Sequence, residues 1–290
     1  VPSGGAIAVL VGLMAVRGMI TAATTCSWNG WVRDLVPQDI LGRFFSKQLT
    51  FGTIAAVVFG LGAAIFVDFW KGSASPDNEV YGYTLALLFG AVFLGMAGPL
   101  FMALMPEPLM QPTPGPQPSL AETVAMPLRD KDFRQLMGFL FLRGFTANLA
   151  IPFFAVYMLK VLDMPLSAVI SLTVLSQVFN VLFLRVWGPL ADQYGSKAIL
   201  SLSTSLYLLV ILGWAFTTMP DRYFMTIPLL IILHIFAGIA TAGVTLTTGT
   251  IGMKLAPPGQ ATSFLAGASL ATSLGAGLGP LVGGKFADFF

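Results

Sequence analysis

The feature that most constrains this chain is the spacing of its charged residues. They leave eight long apolar stretches between them, at residues 5–32, 48–67, 80–105, 135–159, 165–187, 198–219, 223–253 and 262–285. A helix needs about 20 apolar residues to cross the hydrocarbon of a bilayer. In lipid the backbone must satisfy its own hydrogen bonds, and a helix does so within one segment. The pattern therefore predicts an all-α, polytopic membrane protein with about eight transmembrane helices. Composition points the same way. Of 290 residues, 56% are hydrophobic and 10% are charged, with a mean hydropathy of +0.83. A soluble surface needs more charge than this.

The joints between stretches carry residues that stop helices. They read KGSASPDNEV at 71–80, LKVLDMP at 159–165, TTMPDR at 217–222 and KLAPPGQATS at 254–263. Residues 106–134 differ, with seven prolines and a cluster of charges after Glu122. Proline at that density cannot sustain a continuous helix. The segment reads as a linker between three spans in residues 1–105 and five in residues 135–290. Nine lysines and arginines, Arg129 and Lys131 among them, fall on the linker's side of the membrane, and four on the other. That bias places the linker in the cytoplasm. The chain opens on Val1 with neither an initiator methionine nor a basic leader. The natural protein is expected to begin upstream.

Several function classes lose support at this level. A net charge of +2 gives no reason to expect nucleic acid as a partner. The single cysteine, Cys26, leaves no internal disulfide and no cysteine metal cluster, and the single histidine, His234, argues against a zinc site. No cofactor or metal is expected. Nor do the residues offer clustered carboxylates or a nucleophile with its base, so an enzyme is not expected.

Ionisable and amide side chains inside spans are costly and mark candidate pathways for a solute or ion. Arg17 and Arg143 fall inside the first and fourth spans. Thr146, Asn148 and Tyr157 extend a polar path from Arg143. Gln177 and Asn180 are three apart and share a helix face. His234 is near the middle of the seventh span, followed by Thr241 and Thr245. A cavity arginine could hold an anionic group. The plainer reading gives the arginines a structural carbonyl or a snorkelling role, and gives Gln177 and Asn180 interhelical bonds. No aspartate or glutamate lies deep in a span, so coupling to a proton or another cation uses His234, whose unperturbed imidazole titrates near neutral pH, or residues outside this stretch, or is absent. In the last span Gly275, Gly279 and Gly283 lie four apart on one face. Such a stripe lets two helices approach closely in lipid, and Pro280 would bend the helix that carries it.

The sharpest local string is GPLADQYGSKAIL, Gly188 to Leu200, between the fifth and sixth spans. Asp192 could cap the next helix or pair with a cation, and Gly195 permits a tight turn. The string resembles the loop motif of the major facilitator superfamily, Gly-x-Leu-Ala-Asp-Arg-x-Gly-Arg-Lys. Gly188, Leu190, Ala191, Asp192, Gly195 and Lys197 match it, while Gln193 and Ser196 replace the two arginines. Arg17-Gly18 resembles the arginine motif of family helix four. RDLVPQDILGRFFSK, Arg33 to Lys47, is similar to the loop between helices four and five. GAGLGPLVGG, Gly275 to Gly284, resembles the family's glycine-proline string. Segments 220 residues apart echo one another, with Leu35, Pro37 and Phe44 matching Leu255, Pro257 and Phe264. Parallel repeats of this kind are a transporter architecture.

The resemblance implies a two-bundle fold, incomplete here and covering family helices four to eleven. It implies secondary active transport of a small-molecule substrate by alternating access, in a bacterial inner membrane, with membrane lipid around the protein and a complete protein that works as a monomer. The residues carried into the solute pathway are Arg17, Arg143, Asn148, Tyr157, Gln177, Asn180, His234 and Thr241. Those carried into the conformational motif are Gly188, Leu190, Asp192, Gly195, Lys197, Gly275, Gly279, Pro280 and Gly283. A transporter-like sensor or scaffold that binds without flux is the alternative.

Overall fold

The computed structural model describes residues 4–73, 78–104, 119–218, 221, 223–257 and 260–289. Some side chains within the helices, those of Arg17 and Cys26 among them, lie outside this description. Among the described residues the regular structure is helical. The elements are α1 (Gly4–Leu35), α2 (Leu41–Ser73), α3 (Glu79–Phe89), α4 (Gly95–Leu104), α5 (Leu120–Arg129), α6 (Lys131–Lys160), α7 (Leu166–Tyr194), α8 (Ser196–Gly213), α9 (Thr226–Leu255) and α10 (Ala261–Phe289). A π-helical turn, Gly90–Leu94, joins α3 to α4, and a short 3-10 turn, Trp214–Phe216, extends α8.

Seven helical stretches among the described residues are long and apolar enough to span a membrane, and α1 covers the first apolar stretch of the sequence. The protein is an all-α, integral membrane protein. Its helices outrun the apolar blocks: α2 has 33 residues where the apolar run covers 48–67. The physical reason is that a charged residue ends the hydrocarbon-facing part of a helix without ending the helix. Lys131, Lys160 and Lys254 all sit in the terminal turns of helices that continue to them. About 20 residues cover the hydrocarbon and the remainder projects into the interface.

The proline-rich segment is not irregular throughout. Residues 105–118, with most of its prolines, lie outside the described residues. Beyond them Ser119 starts α5 with a capping box: the Ser119 hydroxyl accepts the Glu122 amide, and the Glu122 carboxylate accepts the Ser119 amide at 2.8 Å. The helix tolerates Pro127 and then stops at Asp130, which in turn caps α6 by accepting the Phe133 amide at 2.8 Å. Pro127 is buried against Gly267 at the start of α10.

The described chain divides into two compact units, residues 1–47 with 114–290, and residues 48–113. In the smaller unit, the Trp70 indole bonds the Asn78 carbonyl at 3.0 Å and packs on Gly82, tying α2 to α3. In the larger unit, α6 packs on α10, and α9 packs on both α7 and α8. Glycine sits at each of these contacts. A Cβ at Gly275, Gly279 or Gly283 would lie 2.2, 2.6 or 2.5 Å from the carbonyl oxygens of Phe141, Phe145 and Leu149. The stripe read from sequence thus lies backbone to backbone against α6, and Gly144 returns the contact from the other side. Pro280 sits inside α10, which continues to Phe289. At the far end of the bundle, Met158, Leu162, Met164, Val169, Leu172 and Leu230 form a buried cluster around the α6–α7 turn.

Two outcomes follow from this packing. Gly279→Val should lower stability by about 3 kcal/mol or more, because backbone on both sides cannot yield. Gly277→Val, where no atom lies within 4 Å of the added Cβ, should change it little; thermal unfolding in detergent micelles compares the two. At α5, the Ser119 amide, followed by its hydroxyl, holds the Glu122 carboxyl below its ordinary value. The cap is therefore intact above the ordinary carboxylate range and is lost as pH falls through the lowered value. Protection of the α5 amides, measured relative to their intrinsic exchange rates, should fall in that acidic window and, in Glu122→Gln, should not change across it.

Candidate functional site

The turn between α7 and α8 reaches across to the start of α2. Gly195 holds the turn with φ +88°, a conformation that side chains rarely adopt. Asp192 precedes it, and only 5% of its side chain is exposed. One carboxylate oxygen accepts the Gly42 amide at 2.7 Å and the other accepts the Arg43 amide at 2.9 Å. These are among the first amides of α2, which have no partner inside their own helix. Burying a carboxylate is costly unless donors compensate. Here two N–H groups and the positive end of a helix do so. The Arg43 guanidinium lies 4.0 Å away and is largely exposed, so it adds little. Asp192 therefore caps α2, 150 residues earlier in the chain, while the start of α8 has no side-chain cap.

Close approach makes this cap reachable. A Cβ on Gly188 would sit 2.4 Å from the Ser46 hydroxyl, and one on Gly42 would sit 2.5 Å from the Gly188 carbonyl. Leu190 is half-buried, Ala191 fully buried, and Lys197 exposed. Ser196, where the loop motif has an arginine, is buried and shares a hydrogen bond with Thr250 of α9 at 3.2 Å.

A second contact of the same type lies at the end of α1. Arg33 donates through Nε to the Met253 carbonyl at 3.2 Å and through a terminal nitrogen to the Ala256 carbonyl. Both acceptors belong to the C-terminal end of α9, where carbonyls lack partners and a cation is favoured. Gly30 packs beside it on Thr262 of α10.

Between α1, α6, α9 and α10 lies a groove of about 310 Å³. Its polar lining comes from Asn29, Thr245, Thr248, Ser269, Thr272 and Ser273, and it holds no ionisable side chain among the described residues. Gly249 and Gly252 keep the α9 wall low.

Residues 136–290, more than half of the chain, match the family model of the Major Facilitator Superfamily. The chain belongs to the Major Facilitator Superfamily. An uncharacterized MFS-type transporter of Methanocaldococcus jannaschii is 30% identical to it over 103 residues, which is 36% of this chain and 25% of that protein. The chain thus spans about a quarter of the length of the curated relative it matches.

Within this superfamily chain the candidate pathway residues named from sequence fall in separate places. Arg17 lies in α1, and its side chain is outside the described residues. Asn148 bonds the Gly144 carbonyl of its own helix at 2.9 Å, and its backbone lies against Gly279 of α10. The Tyr157 hydroxyl bonds Thr217 at 2.9 Å and Thr218 at 3.3 Å, joining α6 to the end of α8. His234 is buried with its ring 5.7 Å from that of Trp214, and its Nδ1–H donates to the Leu230 carbonyl at 2.8 Å. Phe154 stacks on Trp214, with ring centroids 4.2 Å apart. Asn180 reaches the Gly238 carbonyl at 3.5 Å, where α7 crosses α9, and Gln177 is exposed. Thr241 is half-buried one turn before Thr245. Arg143 lines a separate cavity with Thr146.

Sequence reasoning missed Asn29, Thr248, Ser269, Thr272 and Ser273. They are uncharged, so a search for costly ionisable groups passes over them. Their signal was spacing: Ser269, Thr272 and Ser273 share a face of α10, as Thr241, Thr245 and Thr248 do of α9.

Removing the cap should be measurable. Asp192→Ala should cost about 1–2 kcal/mol at the start of α2. Amide exchange at Gly42 and Arg43 should rise about tenfold. Arg43→Gln, which keeps the backbone donors, should leave those amides nearly as protected.

Proposed function

We propose that the chain belongs to a secondary transporter that moves a small solute by alternating access, and that the hydroxyl-lined groove between α1, α6, α9 and α10 is part of the solute's path. The groove is the observation that carries this reading. It is polar and lies between apolar helices in a protein whose family membership is shown. Thr241 and Thr245 connect it to the pathway read from sequence. The remaining candidates, Arg17, Asn148, Tyr157, Gln177, Asn180 and His234, then serve as supporting contacts or as the path's continuation. Under the same reading residues 1–105 and 135–290 are parts of two bundles joined by residues 106–134, with the linker in the cytoplasm.

The two helix-end contacts supply the conformational half. Asp192 on the start of α2 and Arg33 on the end of α9 both lie at the linker-side ends of their helices. Each joins an element of the first bundle to one of the second. Opening that side requires both contacts to break, while the Gly275–Gly283 stripe keeps α6 and α10 moving as one body. A coupling proton or cation, with His234 as its titratable group, belongs to the same proposal.

The test uses accessibility and flux together. In a Cys26→Ser background, Ser273→Cys reports exposure of the groove to a membrane-impermeant maleimide. Combining Asp192→Asn with Arg33→Gln should raise labelling from the linker side several-fold. Unchanged labelling would sink the gate. Sealed vesicles carrying the chain, screened against a panel of radiolabelled solutes, should accumulate one of them, and Thr248→Leu should stop this without changing protein abundance. Binding of a solute with no flux would favour the sensor or scaffold reading instead.

A further inference from the structure

A second cavity, of about 150 Å³, lies between α6, α8 and α9. It shares no residue with the hydroxyl groove. Four polar side chains line it, Arg143, Thr146, Thr204 and Tyr207, and the remaining wall is apolar. Among the described residues none of the four makes a hydrogen bond, and Arg143 has no carboxylate within ion-pair distance. The Thr204 hydroxyl is fully shielded from solvent. Ser203, the residue before Thr204, is likewise buried without a partner, whereas nearby threonines are bonded. Thr173, Thr247, Thr248 and Thr272 each bond a carbonyl of their own helix. Thr146 is exposed, but Arg143, Thr204 and Tyr207 are half-buried, so a guanidinium and two hydroxyls line one small space with their donors unused.

Depth adds to the argument. Arg143 is twelve residues beyond Lys131 at the start of α6, about 18 Å along a helix rising 1.5 Å per residue. That carries it toward the middle of the hydrocarbon, where an unpaired cation is expensive. A lipid phosphate anchored at the interface does not reach this level. The planar fork of an arginine matches a carboxylate bidentately. The rest of the wall, including Leu208, Ile211 and Val244, suits a hydrocarbon tail. The volume equals about five water molecules, enough for a carboxylate and a short chain.

We propose that this cavity binds the carboxylate of an aliphatic monocarboxylic acid. Arg143 pairs with the carboxylate, the Thr204 and Tyr207 hydroxyls donate to it, and the tail lies against Leu208, Ile211 and Val244. The site is distinct from the groove and does not depend on its being a transport path.

Binding of butyrate to the purified chain in detergent micelles tests this, read by ligand-observed NMR, with butyramide as the neutral isostere. Butyrate should bind saturably and at least tenfold more tightly than butyramide, and should raise the unfolding temperature where butyramide does not. Arg143→Gln should erase the preference, Arg143→Lys should keep part of it, and Thr204→Val should weaken butyrate several-fold. Thr248→Val, in the other cavity, should leave it unchanged. No butyrate binding, equal binding of acid and amide, or full affinity in Arg143→Gln would overturn the proposal. The wild-type comparison stands even where a variant does not fold. A series from acetate to decanoate separates the sources. Affinity that peaks at short chains identifies a free acid, and affinity that rises to decanoate identifies a fatty acid from the bilayer.

Discussion

Helices surrounded by hydrocarbon gain nothing by hiding one apolar face against another, so something else must decide which pairs meet. In this chain the deciding interaction is backbone contact through glycine. Gly144, Gly275, Gly279 and Gly283 set α6 against α10, Gly238 sets α9 against α7, and Gly243 sets α9 against Ser203 of α8. Gly42 and Gly188 do the same where α2 meets α7. Everything more specific hangs from these crossings. The groove exists because α6, α9 and α10 are held at fixed separations, and Asp192 reaches two amides of α2 because Gly188 lets the helices nearly touch.

Polar chemistry in such a scaffold concentrates where helices end. Midway along a helix the backbone is already satisfied, and a threonine usually donates back to its own carbonyls. At the ends, amides and carbonyls are unspent. One carboxylate and one guanidinium use them here in opposite senses, Asp192 at the start of α2 and Arg33 at the end of α9. At each of these two junctions a single side chain holds a helix end through two backbone groups.

Much of the fold was legible because lipid imposes a simple rule on the chain. Apolar runs of the right length became helices, and the Gly275 to Gly283 stripe became a packing face. Gly195 took the positive φ its place in the loop required. What sequence could not show was which helix each polar group would meet. Asp192 suggested a cap for the helix that follows it, yet it caps one 150 residues earlier, since capping needs only proximity to a free helix end. Helix limits were read short at Lys131, Lys160 and Lys254, because charge marks the edge of the bilayer and not the end of a helix. The α5 helix was hidden under a proline count that ignored the Ser119–Glu122 capping box. The groove escaped notice for a different reason. Its side chains are uncharged, and two of its hydroxyls, Thr248 and Thr272, bond carbonyls of their own helices, so they raise no alarm in a sequence.

The contacts made by Asp192 and Arg33 share one further property. Each uses a side chain on one element and the main chain on the other. Nothing short of proline at residues 42 or 43 removes the donors that Asp192 needs, and no side-chain replacement at 253 or 256 removes the acceptors of Arg33. At the Arg33 junction the specifying information is therefore stored on one partner only, whereas the Asp192 junction also requires Gly42, whose added Cβ would meet the Asp192 carboxylate. Substitutions at 253 or 256 leave no compensating change to be found in Arg33. A method that infers proximity from correlated substitution would be blind to the contact between Arg33 and the end of α9.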